Sequence, residues 1–99
     1  MQSGYKQLAA MRELLYQLEQ DMGLDDMSQN EKDILYAFHM LAESKTECDV
    51  HSESIRSHNT VRAMKHATYH RTLKRLLDQG FIEHAPQRKT GLYRLATAH

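Results

Sequence analysis

Apolar residues near the start of the chain recur at intervals of three and four positions, the spacing of a heptad repeat. A glycine at position 23 can adopt the left-handed conformation that commonly ends a helix. We therefore expect a helical segment over residues 1–24 with a single apolar seam. The seam residues are Leu8, Met11, Leu15, Leu18 and Met22.

A start signal followed by a broad apolar face predicts a second helix. Ser28 precedes Glu31 by three positions, the spacing of a capping box in which each residue binds the other's backbone N–H. The apolar residues that follow are frequent enough for a helix at the centre of the core. They are Ile34, Leu35, Phe38, Met40, Leu41 and Ala42.

The middle of the chain contains shorter elements. We expect a loop over Lys45–Asp49 and a short strand around Val50. The hydroxyl of Ser52 can cap a third helix, which carries Ile55 inward and ends near His58–Asn59.

A fourth helix, over about residues 66–79, has one apolar face and one basic face. Gly80 is placed to end it in the left-handed conformation. The apolar face predicts a buried stripe, and the remaining helix surface is polar. The buried stripe consists of Tyr69, Leu73, Leu76 and Leu77.

Two strands are predicted after this helix, over Phe81–His84 and Leu92–Ala96, and the residues between them include the only proline of the chain. The hairpin loop and its flanks, about residues 84–92, would form a wing. The complete order is helix, helix, short strand, helix, helix, strand, strand. It predicts a mainly α (α+β) fold, with a winged helix-turn-helix domain over residues 27–99, an extra N-terminal helix and a small β-wing.

Opposite charges are concentrated in the two halves of the chain. The formal net charge is +0, but residues 1–54 carry four cations against eleven carboxylates, whereas residues 55–99 carry nine cations against two carboxylates. The basic half also contains the fourth helix and the hairpin. This asymmetry favours contact of the C-terminal half with nucleic acid; attraction between the two halves within one fold is the alternative explanation.

Two segments of the basic half resemble a known DNA-binding domain. Ala67–Lys74, with Leu76 and Gly80–Ile82, looks like the recognition helix of the ferric-uptake-regulator family. Gly91–Leu95 resembles the return strand of that domain's wing. The resemblance implies a winged helix that places its fourth helix in the major groove of double-stranded DNA.

The chain is also similar to the core of the multiple-antibiotic-resistance (MarR) type of regulator, through Met27–Leu35, the helix pair that follows and Leu76–Ile82. Together the two resemblances cover about residues 27–96. The metal-binding C-terminal domain of the uptake regulators is absent from this sequence, and so is the aspartate-and-arginine wing signature of the resistance regulators. We therefore carry over no metal, drug effector or cofactor.

A helix in the major groove presents its N-terminal residues to base edges, while later basic residues reach phosphates. Hydroxyl and imidazole groups can hydrogen-bond to bases, and an alanine methyl can contact thymine. Arg71 has two possible roles, guanine reading or phosphate binding, and the resemblance favours phosphate. For each of these side chains, simple solvation is the alternative. The expected DNA-binding residues are His66, Ala67, Thr68 and His70 at base edges, Lys65, Arg71, Lys74 and Arg75 at phosphates, and Arg88 and Lys89 at the wing tip.

The apolar seam predicts a homodimer, because DNA-reading domains of this kind gain affinity by binding two half-sites. The alternative is that the seam packs on the chain's own core, since it spans only about two heptads. The function that follows is that of a small, dimeric, sequence-specific transcriptional regulator. The alternative function is a protein-interaction winged helix within a larger complex, without DNA binding.

Seven histidines and a single cysteine raise the question of a metal site. His66 and His70 are four positions apart on one helix, and Cys48 and His51 are three apart, but a structural zinc site needs three or four ligands. We expect no metal site. No phosphate loop, nucleophile elbow or paired-carboxylate motif is present, so we expect no enzymatic activity. The lone cysteine, the interrupted N-terminal apolar pattern and the lack of a long apolar run predict a cytoplasmic protein.

Overall fold

A computed structural model describes residues 2–43, 49–85 and 91–96. The described residues form a mainly helical fold with a small antiparallel sheet, which confirms the expected α+β class. The helices are α1 (Gln2–Asp21), α2 (Gln29–Glu43), α3 (Ser52–Arg56) and α4 (His66–Asp78).

The sheet joins the middle of the chain to its end. Its strands are β1 (Asp49–His51), β2 (Ile82–His84) and β3 (Leu92–Leu95), in the order β1-β3-β2. Both pairings are antiparallel, with Val50 opposite Tyr93 and Glu83 opposite Arg94. The central position of β3 holds the β2–β3 hairpin against the segment that precedes α3.

The core lies where α2, α3 and α4 meet the sheet. Phe38 of α2 packs edge-on against Tyr93 of β3, with ring centroids 6.4 Å apart. Ile34, Ile55 and Leu76, one from each of the three helices, are fully buried. The complete buried cluster is Ile34, Leu35, Ala37, Phe38, Ala42, Val50, Ile55, Val61, Tyr69, Leu73, Leu76, Ile82 and Tyr93.

The start of α2 confirms the capping box. The Ser28 backbone N–H donates to Oε1 of Glu31 at 2.8 Å, and the Glu31 N–H donates to Oγ of Ser28 at 3.2 Å. The reciprocal bonds satisfy two backbone donors that no helical carbonyl can reach. The prediction of Met40 as a core residue is wrong: its side chain is 62% exposed, because a residue two positions after the buried Phe38 points to the opposite side of the helix.

The same backbone geometry ends α1 and α4. Gly23 and Gly80 have φ angles of 75° and 83°, in the left-handed region that favours glycine. The N–H of each glycine donates to a carbonyl three residues back, and the N–H of the next residue donates to a carbonyl five residues back. These pairs of bonds form a Schellman motif, and they confirm the helix ends predicted at both glycines.

The third helix differs in detail from its prediction. It begins at Ser52, but its N-cap is His51, and no side-chain hydrogen bond caps it. The Ser52 hydroxyl is therefore not the cap that we expected, because Ser52 itself lies inside the helix. The helix also ends at Arg56, earlier than expected, and residues 57–64 continue as turns closed by bonds such as His58 N–H to Ile55 carbonyl. Asp49, expected in a loop, is the first residue of β1.

The N-terminal helix extends away from this body. The molecule measures 50 × 29 × 26 Å along its principal axes, and a helix of this length is about 30 Å long. Side chains of α1 are exposed from Gly4 through Leu18, and the first buried one is Glu19. Only the C-terminal end of α1 is therefore anchored to the rest of the fold.

Candidate nucleic-acid interface

Helix α4 is amphipathic, and its apolar face fixes its orientation. Tyr69, Thr72, Leu73 and Leu76 are buried against α2, α3 and the sheet, and Leu77 is half-buried beside them. The predicted stripe is confirmed and Thr72 joins it, because its hydroxyl donates to the Thr68 carbonyl at 2.7 Å and so needs no other partner. The opposite face of the helix consequently points away from the body.

The exposed face of α4 collects most of the residues that the sequence assigned to DNA. Thr68 is half-buried, because helical spacing puts it at the edge of the exposed face rather than at its centre. Arg62, in the turn before α4, is also exposed and was not part of the prediction. The exposed predicted residues are Lys65, His66, Ala67, His70, Arg71, Lys74 and Arg75.

This face is strongly positive. Residues 57–78 carry five cations, namely Arg62, Lys65, Arg71, Lys74 and Arg75, against a single carboxylate, Asp78. All six of these charged side chains are exposed. An excess of exposed cations over carboxylates attracts a polyanion, because phosphates that bind there release condensed counterions.

Arg75 also interacts electrostatically with a carboxylate inside the protein. Burial raises the pKa of the Glu31 carboxyl, but hydrogen bonds from Ser28 and the positive charge of Arg75 act the other way and hold that pKa below its ordinary value. Glu31 is almost completely buried at the start of α2. Arg75 thus offsets the charge of an internal carboxylate while its side chain remains exposed.

The turn between α3 and α4 is held by one arginine. The Arg56 guanidinium donates to the carbonyls of Val61, Arg62 and Met64 at 3.1, 3.2 and 2.6 Å. Its central carbon also lies 5.3 Å from the centroid of the Tyr69 ring. No sequence pattern identifies this role, because the acceptors are backbone carbonyls that any residue would supply. The half-buried Arg56 positions the turn and is not a surface cation.

Two histidines at the start of α4 form a pair. The ring centroids of His66 and His70 are 4.3 Å apart, and the His70 ring is 5.2 Å from that of Tyr69. Among the described residues, no group of three or more histidine, cysteine, aspartate or glutamate side chains is placed to hold a metal ion. His51 is exposed at the end of β1, and Cys48 lies outside the described residues.

The β2–β3 hairpin lies beside α4 in the chain and carries its own charge pair. The Arg94 side chain donates to Oε2 of Glu83 at 2.6 Å, and the two residues are direct neighbours across the strands. Arg94 is therefore paired with a carboxylate of the same hairpin. Arg88 and Lys89, the predicted wing contacts, lie outside the described residues.

The seam of α1 is exposed along its whole length. The exposed fractions are 63% for Leu8, 67% for Met11, 40% for Leu15, 50% for Leu18 and 73% for Met22. The alternative in which the seam packs into the chain's own core is therefore wrong in this structure. Exposed apolar side chains aligned in this way are typical of a surface that binds another protein.

A cleft of about 560 Å³ adjoins the C-terminal part of the seam. We call it the α1 cleft. It lies between α1, α2, the end of β3 and the residue before β2, and its wall is mostly apolar. Leu15, Leu18 and Met22 form one side, and Leu35, Phe81 and Leu95 are among the residues on the other.

A cluster of polar side chains connects α1 to α2, and two of them, Glu19 and Tyr36, line the α1 cleft. The Tyr36 hydroxyl donates to Oε2 of Glu19 at 2.6 Å, and the Lys32 ammonium lies 3.0 Å from Oε1. The bond from Tyr36 is the largest cause that lowers the pKa of the Glu19 carboxyl. Burial, and then the neighbouring Glu19, raise the pKa of the Tyr36 hydroxyl. This cluster holds the otherwise exposed helix at a fixed place on the body.

Comparisons with protein-family models, with curated proteins and with solved structures return no match to this chain. None of the helices in the described ranges is both long enough and apolar enough to span a membrane.

Proposed function

We propose that this chain is a sequence-specific, double-stranded DNA-binding protein of the winged helix-turn-helix type that acts as a dimeric transcriptional regulator. The observation that carries the proposal is the exposed basic face of α4, whose orientation is fixed by the buried stripe on the other side of the helix. In this proposal α4 enters the major groove, and the hairpin loop contacts the backbone or the minor groove.

The arrangement around α4 suits that role. The first residues of α4 that face outward, His66, Ala67 and His70, are short or carry hydrogen-bonding rings, which are suited to base edges. Arg71 and Lys74 lie one turn further along, where longer cationic side chains can reach phosphates. The Arg56-braced turn holds α3 against α4, so the DNA-facing surface is ordered before DNA is bound.

A salt titration tests the proposal. Binding of the protein to a random-sequence duplex is measured by fluorescence anisotropy over a range of salt concentrations, for the wild type and Arg71→Ala. We expect the variant to bind more weakly. The slope of log affinity against log salt concentration should be smaller by about one, as for the loss of a single phosphate contact. Asp78→Asn is the matched control of opposite sign, because it removes the single carboxylate of residues 57–78 and should tighten binding. Unchanged affinity of folded Arg71→Ala would rule out this face as the DNA contact.

The dimer is tested separately. Sedimentation equilibrium without DNA should show a dimer at tens of micromolar, and Leu15→Glu should yield a monomer, because it places a charge in an apolar interface. Leu15 lies on the exposed helix, so the body should stay folded, which circular dichroism checks. A monomeric wild type would refute dimerisation through α1.

One observation favours the second candidate function, a protein-interaction module. The exposed seam and the α1 cleft form an apolar surface that DNA would not use. If that candidate is correct, the wild type should show no salt-dependent binding to duplex DNA, and Arg71→Ala should behave like the wild type.

A further inference from the structure

The two halves of α1 have different surroundings. The C-terminal half borders the α1 cleft and is tied to α2 through Glu19. The N-terminal half extends from the body with Tyr5, Leu8 and Met11 exposed by 75%, 63% and 67%. The C-terminal half therefore lies beside an open apolar cleft. The N-terminal half has apolar side chains that no other residue in the described part of the chain covers.

The two halves also differ in charge. Residues 2–12 carry two cations, Lys6 and Arg12, and no carboxylate. Residues 13–26 carry five carboxylates and no cation. The cluster of negative charge continues past the end of the helix through Asp25 and Asp26, both exposed.

We propose that α1 pairs antiparallel with α1 of a second copy of this chain, so that the N-terminal half of each helix fills the α1 cleft of the other. The proposal rests on the homodimer proposed above and adds its orientation and the occupant of the cleft. A two-fold interface uses the same surface on both copies, which this arrangement satisfies.

The heptad spacing gives the register. With the seam residues facing each other, Leu8 lies opposite Leu18 of the partner subunit, and Met11 lies opposite Leu15 of the partner subunit. Leu15 and Leu18 both line the cleft. The side chains that enter the partner's cleft are therefore Leu8 and Met11, which are exposed in the monomer. Their burial supplies the driving force for association.

Charge selects the antiparallel orientation over the parallel one. Antiparallel pairing brings the basic half of each helix beside the acidic half of the other, and it also opposes the two helix dipoles. Parallel pairing would place acidic halves side by side and basic halves side by side, and like charges across an interface are unfavourable. It would also leave both clefts open, because the two N-terminal halves would contact only each other.

Disulfide cross-linking distinguishes the orientations. This chain with Cys48→Ser contains no cysteine, so the introduced thiols are the only ones that can form a disulfide. Leu8→Cys and Leu18→Cys are made separately in that background, and each is oxidised alone and after mixing. We expect a covalent dimer, seen on a non-reducing gel, chiefly in the mixture, because a disulfide needs Cβ atoms about 3.5–4.5 Å apart. Ala9→Cys and Gln17→Cys, at corresponding levels of the helix but on its outer side, form an uncharged control pair and should not cross-link.

Each outcome has a distinct meaning. Cross-linking of each variant with itself, with no increase on mixing, would show a parallel dimer and overturn the orientation proposed here while leaving the homodimer intact. No cross-link in either variant alone or in the mixture, together with a monomer in sedimentation equilibrium, would overturn both the orientation and the homodimer. The assay contains no DNA, so none of its outcomes bears on DNA binding by α4, which the Arg71→Ala titration tests independently.

Discussion

Arg56 and Tyr69 connect the two helices that meet at the candidate interface. The Arg56 guanidinium lies 5.3 Å from the centroid of the Tyr69 ring, and the Tyr69 hydroxyl donates to the Ser52 carbonyl at 3.0 Å. Tyr69 belongs to α4, whereas Arg56 and Ser52 are the last and first residues of α3. The Tyr69 side chain therefore contacts both ends of the short helix. Burial raises the pKa of its hydroxyl to about 12, so the hydroxyl remains a donor at neutral pH.

The first prediction concerns this brace. Arg56→Lys keeps the positive charge but replaces a planar fork, which binds three carbonyls at once, with a single ammonium. We expect the free energy of unfolding in urea to fall by about 1–3 kcal/mol, because carbonyls, two of them in part-buried bonds, lose a charged donor. Affinity for duplex DNA should fall as well, because the turn before α4 loses its fixed shape.

Arg62→Lys is the matched control for Arg56→Lys. Arg62 lies in the same turn, but its side chain is exposed, so its replacement by lysine should leave the free energy of unfolding unchanged. Equal stability of the two variants would show that the bonds from Arg56 do not brace the turn.

The second prediction concerns the pH dependence of the α1 anchor. The hydrogen bond from Tyr36 holds the pKa of Glu19 below its ordinary value of 4.5, against the effect of burial and with help from Lys32. A carboxyl whose pKa is lower in the folded state stabilises the protein above its unfolded pKa, and that contribution is lost as the pH falls through the folded value. Glu19→Gln should therefore reduce the free energy of unfolding by about 1 kcal/mol at pH 7, and the difference should shrink below pH 4.5.

Urea unfolding followed by circular dichroism at several pH values measures this difference. Glu13→Gln, which removes an exposed carboxylate of the same helix, is the control and should match the wild type throughout. A deficit of Glu19→Gln that is the same at pH 3 and pH 7 would mean that the charge of the carboxylate does not anchor α1.

The third prediction concerns the capping box at the start of α2. Ser28→Ala removes the oxygen that accepts the Glu31 N–H and should cost about 1 kcal/mol in thermal or urea unfolding. Ser28→Gly should cost only a few tenths of a kcal/mol, because a backbone without a side chain lets water reach the same donor. A larger loss for Ser28→Gly than for Ser28→Ala would contradict the capping role.

The fourth prediction separates base reading from phosphate binding. After selection of a preferred site from random DNA, His70→Ala should reduce the discrimination between that site and random DNA by about 1–3 kcal/mol. Lys74→Ala should weaken binding to both DNAs by the same factor, because a phosphate contact carries no sequence information. Thr68→Ala should have a smaller effect on discrimination than His70→Ala, since Thr68 is half-buried at the edge of α4. Equal weakening of binding to both DNAs by His70→Ala would show that His70 only positions the protein on DNA.

Local signals were sufficient to predict α1, α2 and α4 and the glycine ends of α1 and α4. The capping box of Ser28 and Glu31 and the Schellman ends at Gly23 and Gly80 depend on residues within five positions of one another, so the sequence shows all the participants. The buried stripe of α4 follows from helical spacing for the same reason. The prediction for α3 was less accurate, because a helix of five residues is held by contacts with β1 and α2 rather than by its own caps.

The contacts between distant segments came only from the tertiary structure. The bonds from Arg56 to the turn, the placement of Arg75 near Glu31 and the anchoring of Glu19 by Tyr36 join residues whose pairing has no sequence pattern. Spacing likewise placed the α1 seam on one helix face, but it left open whether that face was covered. The sequence alone determined which faces of the helices are apolar or basic, since a side chain's direction follows from its position in the helix. Which of those faces are buried depended on how the helices pack, because burial is a property of the neighbours as well as of the residue.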